Sequence, residues 1–418
     1  MFDLDHWREI WNALSANKLR TCLTAFGVFW GILMLMIMLG AGNGLENGVK
    51  QDFADNATNS FWVWSRSTSM PFRGLPHGRP LQLTHDDTVA IRALVPEVGV
   101  LSPRTQLGGW RGGNNVTRGK NAGAFSVMGD TPEILAIEPV RLTGGRFLNR
   151  LDLADRRKVA VIGPRVRQVL FGADEPPLGD HIRINGVYFK VIGTYEPINA
   201  DDEEQNDSIY VPLTTFQHAF NFGNRVDWLA VTSKIGIPAS VAEEQVLALL
   251  RQRHRVHPDD ERAFGSFNLE QEYNEVQGLF TGIEALVWIV GIGTLAAGVI
   301  GVSNIMLVIV RERTHEIGVR RAIGARPWSV MGQIVLEAIL LTSLAGYLGL
   351  VAGVGLVELL AHWMANGAGQ LEAFRHPGVA PASAIQALGL VVLAGILAGL
   401  IPARRAVSVN PVDALRTE

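Results

Sequence analysis

The stretch RERTHEIGVRRAIGAR, Arg311 to Arg326, decides how this chain is read. It lies between two apolar runs, each long enough to cross a bilayer, and carries Arg311, Arg313, Arg320, Arg321 and Arg326 against Glu312 and Glu316. Short links rich in arginine stay on the cytoplasmic side of a membrane, so this one orients the segments around it. On a helical wheel Val319, Ala322 and Ile323 fall together, while Gly318, Arg321 and Gly324 lie on another side. Glu316 stands four residues before Arg320, the favourable order for a helical ion pair, and an exposed pair of that kind contributes only about 0.3–0.5 kcal/mol. On composition alone the segment reads equally as a topology signal on a solvated helix and as a docking element.

Outward from this link the chain alternates between lipid and water. Ala285 to Val310 carries no charge, Val330 to Ala361 carries only Glu337 and Glu358, Pro377 to Ala403 carries none, and neither does Thr21 to Leu45. Each exceeds the roughly 20 residues that span about 30 Å of hydrocarbon, which gives four transmembrane helices. Arg8, Lys18 and Arg20 before the first span, and Arg404, Arg405 and Arg416 after the last, place both termini in the cytoplasm. The bulky FWGILMLMIML from Phe29 continues across the bilayer, unlike a cleaved signal peptide.

A chain of 418 residues with formal net charge -3 and mean hydropathy +0.18 fits a mixture of membrane helices and one large soluble domain. The near-neutral balance gives no basis for nucleic-acid binding. Cys22 is the single cysteine, so no disulfide framework exists. The fold expected is therefore a membrane protein with four transmembrane α-helices and a large mixed α+β extracytoplasmic domain between helices 1 and 2. The divisions are 1–20 (cytoplasmic amphipathic helix, with Trp7, Ile10, Trp11 and Leu14 on one face), 21–45 (helix 1), 46–280 (extracytoplasmic domain), 281–310 (helix 2), 311–328 (cytoplasmic link), 329–361 (helix 3), 362–382 (outer loop), 383–403 (helix 4) and 404–418 (cytoplasmic tail). Inside the domain, Phe61 to Trp64 alternates like a strand. Thr84 with Asp87 three residues on starts a helix, and Asn185-Gly186 turns the hairpin of Ile182 to Tyr195.

The run Glu316-Ile317-Gly318-Val319-Arg320-Arg321-Ala322-Ile323-Gly324-Ala325 resembles the motif after the second transmembrane helix of MacB/FtsX-type permeases of ABC transporters. Gly145-Arg146-Phe147, Val159 to Gly163, Phe171-Gly172, Leu178-Gly179, Ile182 to Gly193 and Tyr210 to Leu213 are similar, in order, to that family's outer domain. Pro402, Arg404, Pro411, Ala414 and Leu415 resemble its C-terminal signature. The resemblance implies that Arg313, Glu316, Ile317, Gly318, Arg320, Arg321, Ala322, Ile323, Gly324 and Ala325 form a coupling segment that receives force from a cytoplasmic ABC ATPase. It also implies that Glu337, a carboxylate inside the third span, pairs with an arginine of that segment. The other reading of Glu337 is that the helix starts obliquely in the interface and leaves the group wet.

The chain shows no G-x-x-x-x-G-K-[ST] motif; around Gly119-Lys120, Asn114 and Asn121 occupy required positions. The resemblance then implies that ATP and Mg are bound by a partner ATPase and that this chain binds no cofactor or metal and is not an enzyme. His315-Glu316 lacks the second histidine of a zinc protease, since neither Val319 nor Arg320 supplies it. His254 and His257 read as solvated, and Asp201 to Glu204 as a solvated loop. Gly27 with Gly31, Gly349 with Gly353, and Gly395 with Gly399 are GxxxG pairs open to intramolecular packing or to a dimer contact.

The function expected is that of a permease subunit, in the bacterial cytoplasmic (inner) membrane, that transmits ATP-driven motion to the outer domain for efflux or export. Its implied partners are the ATPase, a second permease copy or paralogue, membrane lipid, and a periplasmic adaptor with an outer-membrane channel. The alternative is a non-transporting mechanotransmitter that regulates an extracytoplasmic partner such as a cell-wall hydrolase.

Overall fold

The charge-free runs and the alternating strands of this sequence fold into two separate compact units. The computed structural model describes residues 18–54, 56–108, 113–172, 175–200, 202–365 and 377–408. In chain order the elements are α1 (Lys18–Ala54), β1 (Ser60–Ser65), β2 (Leu83–Thr84), α2 (His85–Leu94), β3 (Val98–Gln106), β4 (Asn114–Arg118), β5 (Asn121–Asp130), the 3-10 turn Pro132–Ala136 and β6 (Val140–Gly145). Then follow α3 (Arg150–Ala154), β7 (Val159–Ile162), α4 (Pro164–Phe171), β8 (His181–Ile184), β9 (Val187–Pro197), α5 (Glu203–Asn206), β10 (Ser208–Pro212), α6 (Leu213–Ala219), β11 (Arg225–Val226), β12 (Trp228–Ser233), α7 (Ala239–Arg253) and β13 (Phe264–Asn268). The chain closes with α8 (Leu269–Glu312), α9 (Thr314–Ala322), α10 (Pro327–Ala365) and α11 (Pro381–Ser408). One unit joins the chain up to Val49 with the chain from Gln277; the other is Lys50–Val276.

The α/β unit has two lobes that share β3. In the first, β3, β12, β1 and β13 form an antiparallel sheet. Alternation sends Phe61 and Val63 of β1 to one face, where they meet Ile91 of α2 and Val246 and Leu250 of α7, all fully buried. In the second lobe β4, β5, β10, β7, β9 and β8 pair in a closed ring, because β5 and β10 run parallel from Ser126↔Ser208 to Asp130↔Pro212. Closure removes the free sheet edges. Its interior holds Phe125, Val127, Ile162, Ile184, Phe189 and Val211. Asn185 and Gly186, at φ 43° and 93°, turn β8 into β9, which is the conformation that Asn-Gly favours in a two-residue hairpin. Thr84 precedes α2, and its N–H and hydroxyl both donate to Asp87 at 3.0 Å.

The helical unit contains four helices long and apolar enough to cross a membrane, α1, α8, α10 and α11. They overrun the apolar segments that announce them: α1 continues to Ala54, α8 starts at Leu269, and α11 passes through Pro402 to Ser408. Hydropathy marks the thickness of the hydrocarbon, whereas backbone hydrogen bonding continues wherever the sequence allows it. The three GxxxG pairs face neighbouring helices of the same chain. A Cβ on Gly27 would lie 3.7 Å from Gly298, one on Gly349 would lie 2.5 Å from the Phe29 carbonyl oxygen, and one on Gly399 would lie 2.9 Å from Val335. Gly31 likewise meets Leu295, Gly353 meets Met36 and Gly395 meets Thr342. The amphipathic helix expected before Lys18, and most of the outer loop, lie outside the described residues.

Candidate functional site

The arginine-rich link folds as a short helix hung between two spans. Arg313, at φ -96° and ψ 15°, is the single residue separating α8 from α9. Thr314 stabilises the bend by donating its hydroxyl to the Val310 and Arg311 carbonyls at 3.1 and 2.8 Å. Glu316 in the first turn of α9, and Arg320 and Arg321 in the last, suit the positive and negative ends of the helix dipole. The helix ends in a Schellman motif. Gly324, at φ 103°, donates to the Arg321 carbonyl at 3.1 Å, and Ala325 donates to the Arg320 carbonyl at 3.0 Å.

The charges on this helix form a network with α10. The Arg313 guanidinium grips Glu316 with Nε at 2.9 Å and Nη2 at 3.3 Å, and its Nη1 lies 3.3 Å from Glu337 Oε1. Arg320 donates to Glu316 at 2.8 Å and to the Gln333 side-chain oxygen at 3.1 Å. Gln333 and Glu337 are one helical turn apart on α10, so among the described residues the carboxylates of Glu316 and Glu337 converge with the guanidiniums of Arg313 and Arg320. Glu337 is 4% exposed. About 30 Å³ of space remains between this network and apolar side chains that include Met306, Ile309, Val330 and Ile334. Its hydrogen bonds from Arg313 hold the Glu316 carboxyl below its ordinary range, and the same contact raises Arg313. A third tie runs to α11, where Arg321 Nη1 donates to the Val407 carbonyl at 2.6 Å.

Ile317 and Gly318 are the buried positions of α9. The face grouped on the wheel as Val319, Ala322 and Ile323 turns the other way: Ile323 is 82% exposed, and Trp328, at the start of α10, is 77% exposed. The helix therefore buries a narrow edge against its own chain and leaves large apolar side chains open at its far end. Gln333, the Val407 carbonyl and Trp328 were missing from the sequence reading. A polar glutamine four residues before an intramembrane glutamate was the signal for the first; a backbone carbonyl leaves none. Pro402 is buried in α11 and Arg404 is exposed, while Pro411 and Leu415 lie outside the described residues.

Other candidates fall elsewhere. Gly119-Lys120 is the two-residue turn between β4 and β5, with Gly119 at φ 56°. His254 is not solvated: its Nε2 lies 2.9 Å from the buried Asp87, which also accepts from Arg253 at 2.8 Å. The packing of α7 beside α2 brings these groups together across 166 and 167 residues, a contact no local pattern announces. Asp202, in the acidic run, caps α5 by accepting from Gln205 N at 2.9 Å. Among the described residues no group of three metal-ligating side chains converges.

Residues 21–250 match the MacB-like periplasmic core domain, and residues 288–411 match the FtsX-like permease C-terminal domain. The macrolide export ATP-binding/permease protein MacB of Bdellovibrio bacteriovorus is 28% identical over 99% of this chain and 62% of that protein. The pyoverdine export ATP-binding/permease protein PvdT of Pseudomonas putida is 31% identical over 99% of this chain and 60% of that protein. This chain thus spans about three-fifths of the length of these relatives. The crystal structure of the periplasmic region of MacB from Actinobacillus actinomycetemcomitans aligns with 54% of this chain and 96% of its own, at 19% identity and a TM-score of 0.43.

Proposed function

The chain belongs to the MacB/FtsX-type permease family, and from that premise we propose that it is the membrane subunit of an ABC transporter that drives export. An ABC ATPase on a partner chain binds ATP and Mg and closes on α9. The observation that carries this reading is the build of α9: tied to α10 by the Arg313, Glu316, Arg320, Gln333 and Glu337 network, tied to α11 by Arg321, and followed by open apolar side chains at Ile323 and, on the first turn of α10, Trp328. A helix held that way moves with two spans when something pushes its exposed end.

In this reading both termini and α9 are cytoplasmic, the α/β unit lies outside the inner membrane, and the chain works as a dimer. The spans transmit force, and cargo is handled by the α/β unit together with an adaptor and an outer-membrane channel. The names of the relatives, which include ATP binding and export, favour this over regulation of a hydrolase.

The test is a cross-link. With the exposed Cys22 replaced by Ser, an Ile323→Cys variant should form a specific adduct with the ATPase encoded nearest to this gene. Cysteine at Ile235, on the α/β unit and fully exposed, should form none. Absence of any adduct at Ile323 in a membrane preparation where the two chains co-purify would overturn the reading.

A further inference from the structure

The strand shared by the two lobes carries a charge cluster that the coupling reading does not use. Arg104, on β3, donates its Nε–H to Asp130 Oδ1 (2.9 Å), and its Nη2 lies 2.7 Å from Glu138 Oε2, an ion pair without the alignment of a hydrogen bond. Asp130 is the last residue of β5, in the second lobe, and Glu138 follows the 3-10 turn after it. Glu138 also accepts from the indole N–H of Trp62, on β1 of the first lobe, at 3.2 Å. The cluster thus runs from Trp62 through Glu138 and Arg104 to Asp130, across the seam where β3 pairs with β5 over only Thr105↔Gly129 and Gln106↔Met128.

Burial makes the charge count matter. Asp130 is fully buried, and Arg104 is 5% exposed. Two carboxylates face one guanidinium, so with both ionised the cluster carries a net charge of -1; the Glu138 side chain, 12% exposed, keeps an edge on water, whereas Asp130 has none, and its charge is the costly one unless it is compensated. The Tyr210 ring on β10 lies 5.9 Å from the guanidinium carbon and packs on Tyr195 of β9, and neither phenol adds a counter-charge. One oxygen of the pair, Asp130 Oδ2, is buried with no hydrogen-bond partner. A proton on Asp130 removes the excess charge.

We propose that Asp130, with Arg104 and Glu138, is a proton-operated clasp between the lobes of the α/β unit, closed when Asp130 is protonated and loosened when it ionises. Burial pushes the Asp130 carboxyl up to about 6, against the pull of Arg104. The closed seam therefore binds a proton that the opened seam, with Asp130 in water, releases. Its stability is full below the ordinary aspartate range and is lost as pH rises through about 6. Between pH 5.0 and 7.5 the opening constant should rise about tenfold. This inference concerns the α/β unit alone and stands whether or not α9 meets an ATPase.

The test is hydrogen exchange by mass spectrometry on the full chain in lipid nanodiscs at pH 5.0, 6.0 and 7.5, with times scaled for intrinsic exchange. Peptides covering Thr105–Leu107 and Val127–Thr131 should lose about tenfold in protection from pH 5.0 to 7.5, while β8 and β9 stay constant. Asp130→Asn should abolish the pH dependence and keep the seam protected throughout. Should that variant fail to fold, Glu138→Gln serves: with one carboxylate gone, Asp130 ionises against Arg104 at lower pH and the drop shrinks or disappears. Protection at the seam that ignores pH in the natural chain, or a full tenfold drop surviving in Asp130→Asn or Glu138→Gln, overturns the clasp.

Discussion

Arg313 and Glu337, 24 residues apart in sequence, meet with Nη1 and Oε1 at 3.3 Å, and this contact fastens the bend after α8 to the interior of α10. Arg313 is also the one residue that breaks the helix between α8 and α9, so the hinge and the latch are the same side chain. Any rotation of α9 about this point must carry α10 with it or break the pair.

The two ends of this pair should respond unequally to removal. Arg313→Ala removes charge-assisted hydrogen bonds to Glu316 and to a carboxylate that is 4% exposed and should cost about 2 kcal/mol or more. Glu337→Gln removes the buried charge, leaves Arg313 on Glu316, and should cost about 1 kcal/mol. Thermal unfolding in nanodiscs checks the order; an equal or reversed effect would mean that the pair does not anchor the bend. In the proposed transporter both variants should still bind the ATPase, and both should show weakened transport per ATP hydrolysed.

How much of this was readable in advance follows from which contacts are local. The Asn185-Gly186 turn, the Thr84–Asp87 helix start, the Glu316–Arg320 pair and the four apolar runs involve residues within a few positions of each other, and the sequence pattern carries them. The ring of six strands depends on the parallel pairing of β5 with β10, about 80 residues apart, and nothing in either strand specifies that partner. Arg104, Asp130 and Glu138 are single charges scattered through strands and turns. They look like surface residues until the fold buries them together. For a related reason the wheel groups residues of α9 by face but cannot say which face the rest of the chain covers, and the structure buries Ile317 and Gly318.

Asp87 gives a pH prediction with the opposite sign to the clasp. Burial opposes its ionisation, but hydrogen bonds from His254 and Arg253 prevail and hold the carboxyl well below the ordinary range. A depressed value means that the contribution is present above the unfolded-state pKa of about 4 and disappears as pH falls through the folded value. Asp87→Asn should therefore lower the stability of the α/β unit by about 2 kcal/mol at pH 7 and flatten its acid-side decline below about pH 4. Thermal midpoints of that unit's transition from pH 2.5 to 7 report both effects, and a decline as steep in Asp87→Asn as in the natural chain would count against the assignment.

The glycine pairs separate packing within the chain from association between chains. A methyl at Gly349 meets the Phe29 backbone at 2.5 Å, whereas one at Gly355, two residues beyond Gly353 on the same helix, meets nothing within 4 Å. Overpacking of this kind costs about 1–3 kcal/mol. Gly349→Ala should lower the thermal midpoint of the helical unit, and Gly355→Ala should leave it unchanged. If Gly349→Ala instead kept its stability and altered only the oligomeric state, the GxxxG face would belong to an intermolecular contact.

The two isoleucines at either end of α9 face opposite surroundings. Ile317 is 8% exposed and belongs to the core of the helical unit, while Ile323, six residues later, is 82% exposed and has no such role. Burying a carboxylate in an apolar site without a partner is strongly destabilising, so Ile317→Asp should abolish accumulation of folded protein. At Ile323 the same substitution replaces an apolar side chain already in water, and the cost to folding should be within about 0.5 kcal/mol. If Ile323 and Trp328 are the surface on which the ATPase pushes, Ile323→Asp should bury a charge in that contact and weaken co-purification at least tenfold. Normal stability with normal ATPase binding in Ile323→Asp would leave the arginine network intact as a structural latch and remove the open end of α9 as the point of engagement.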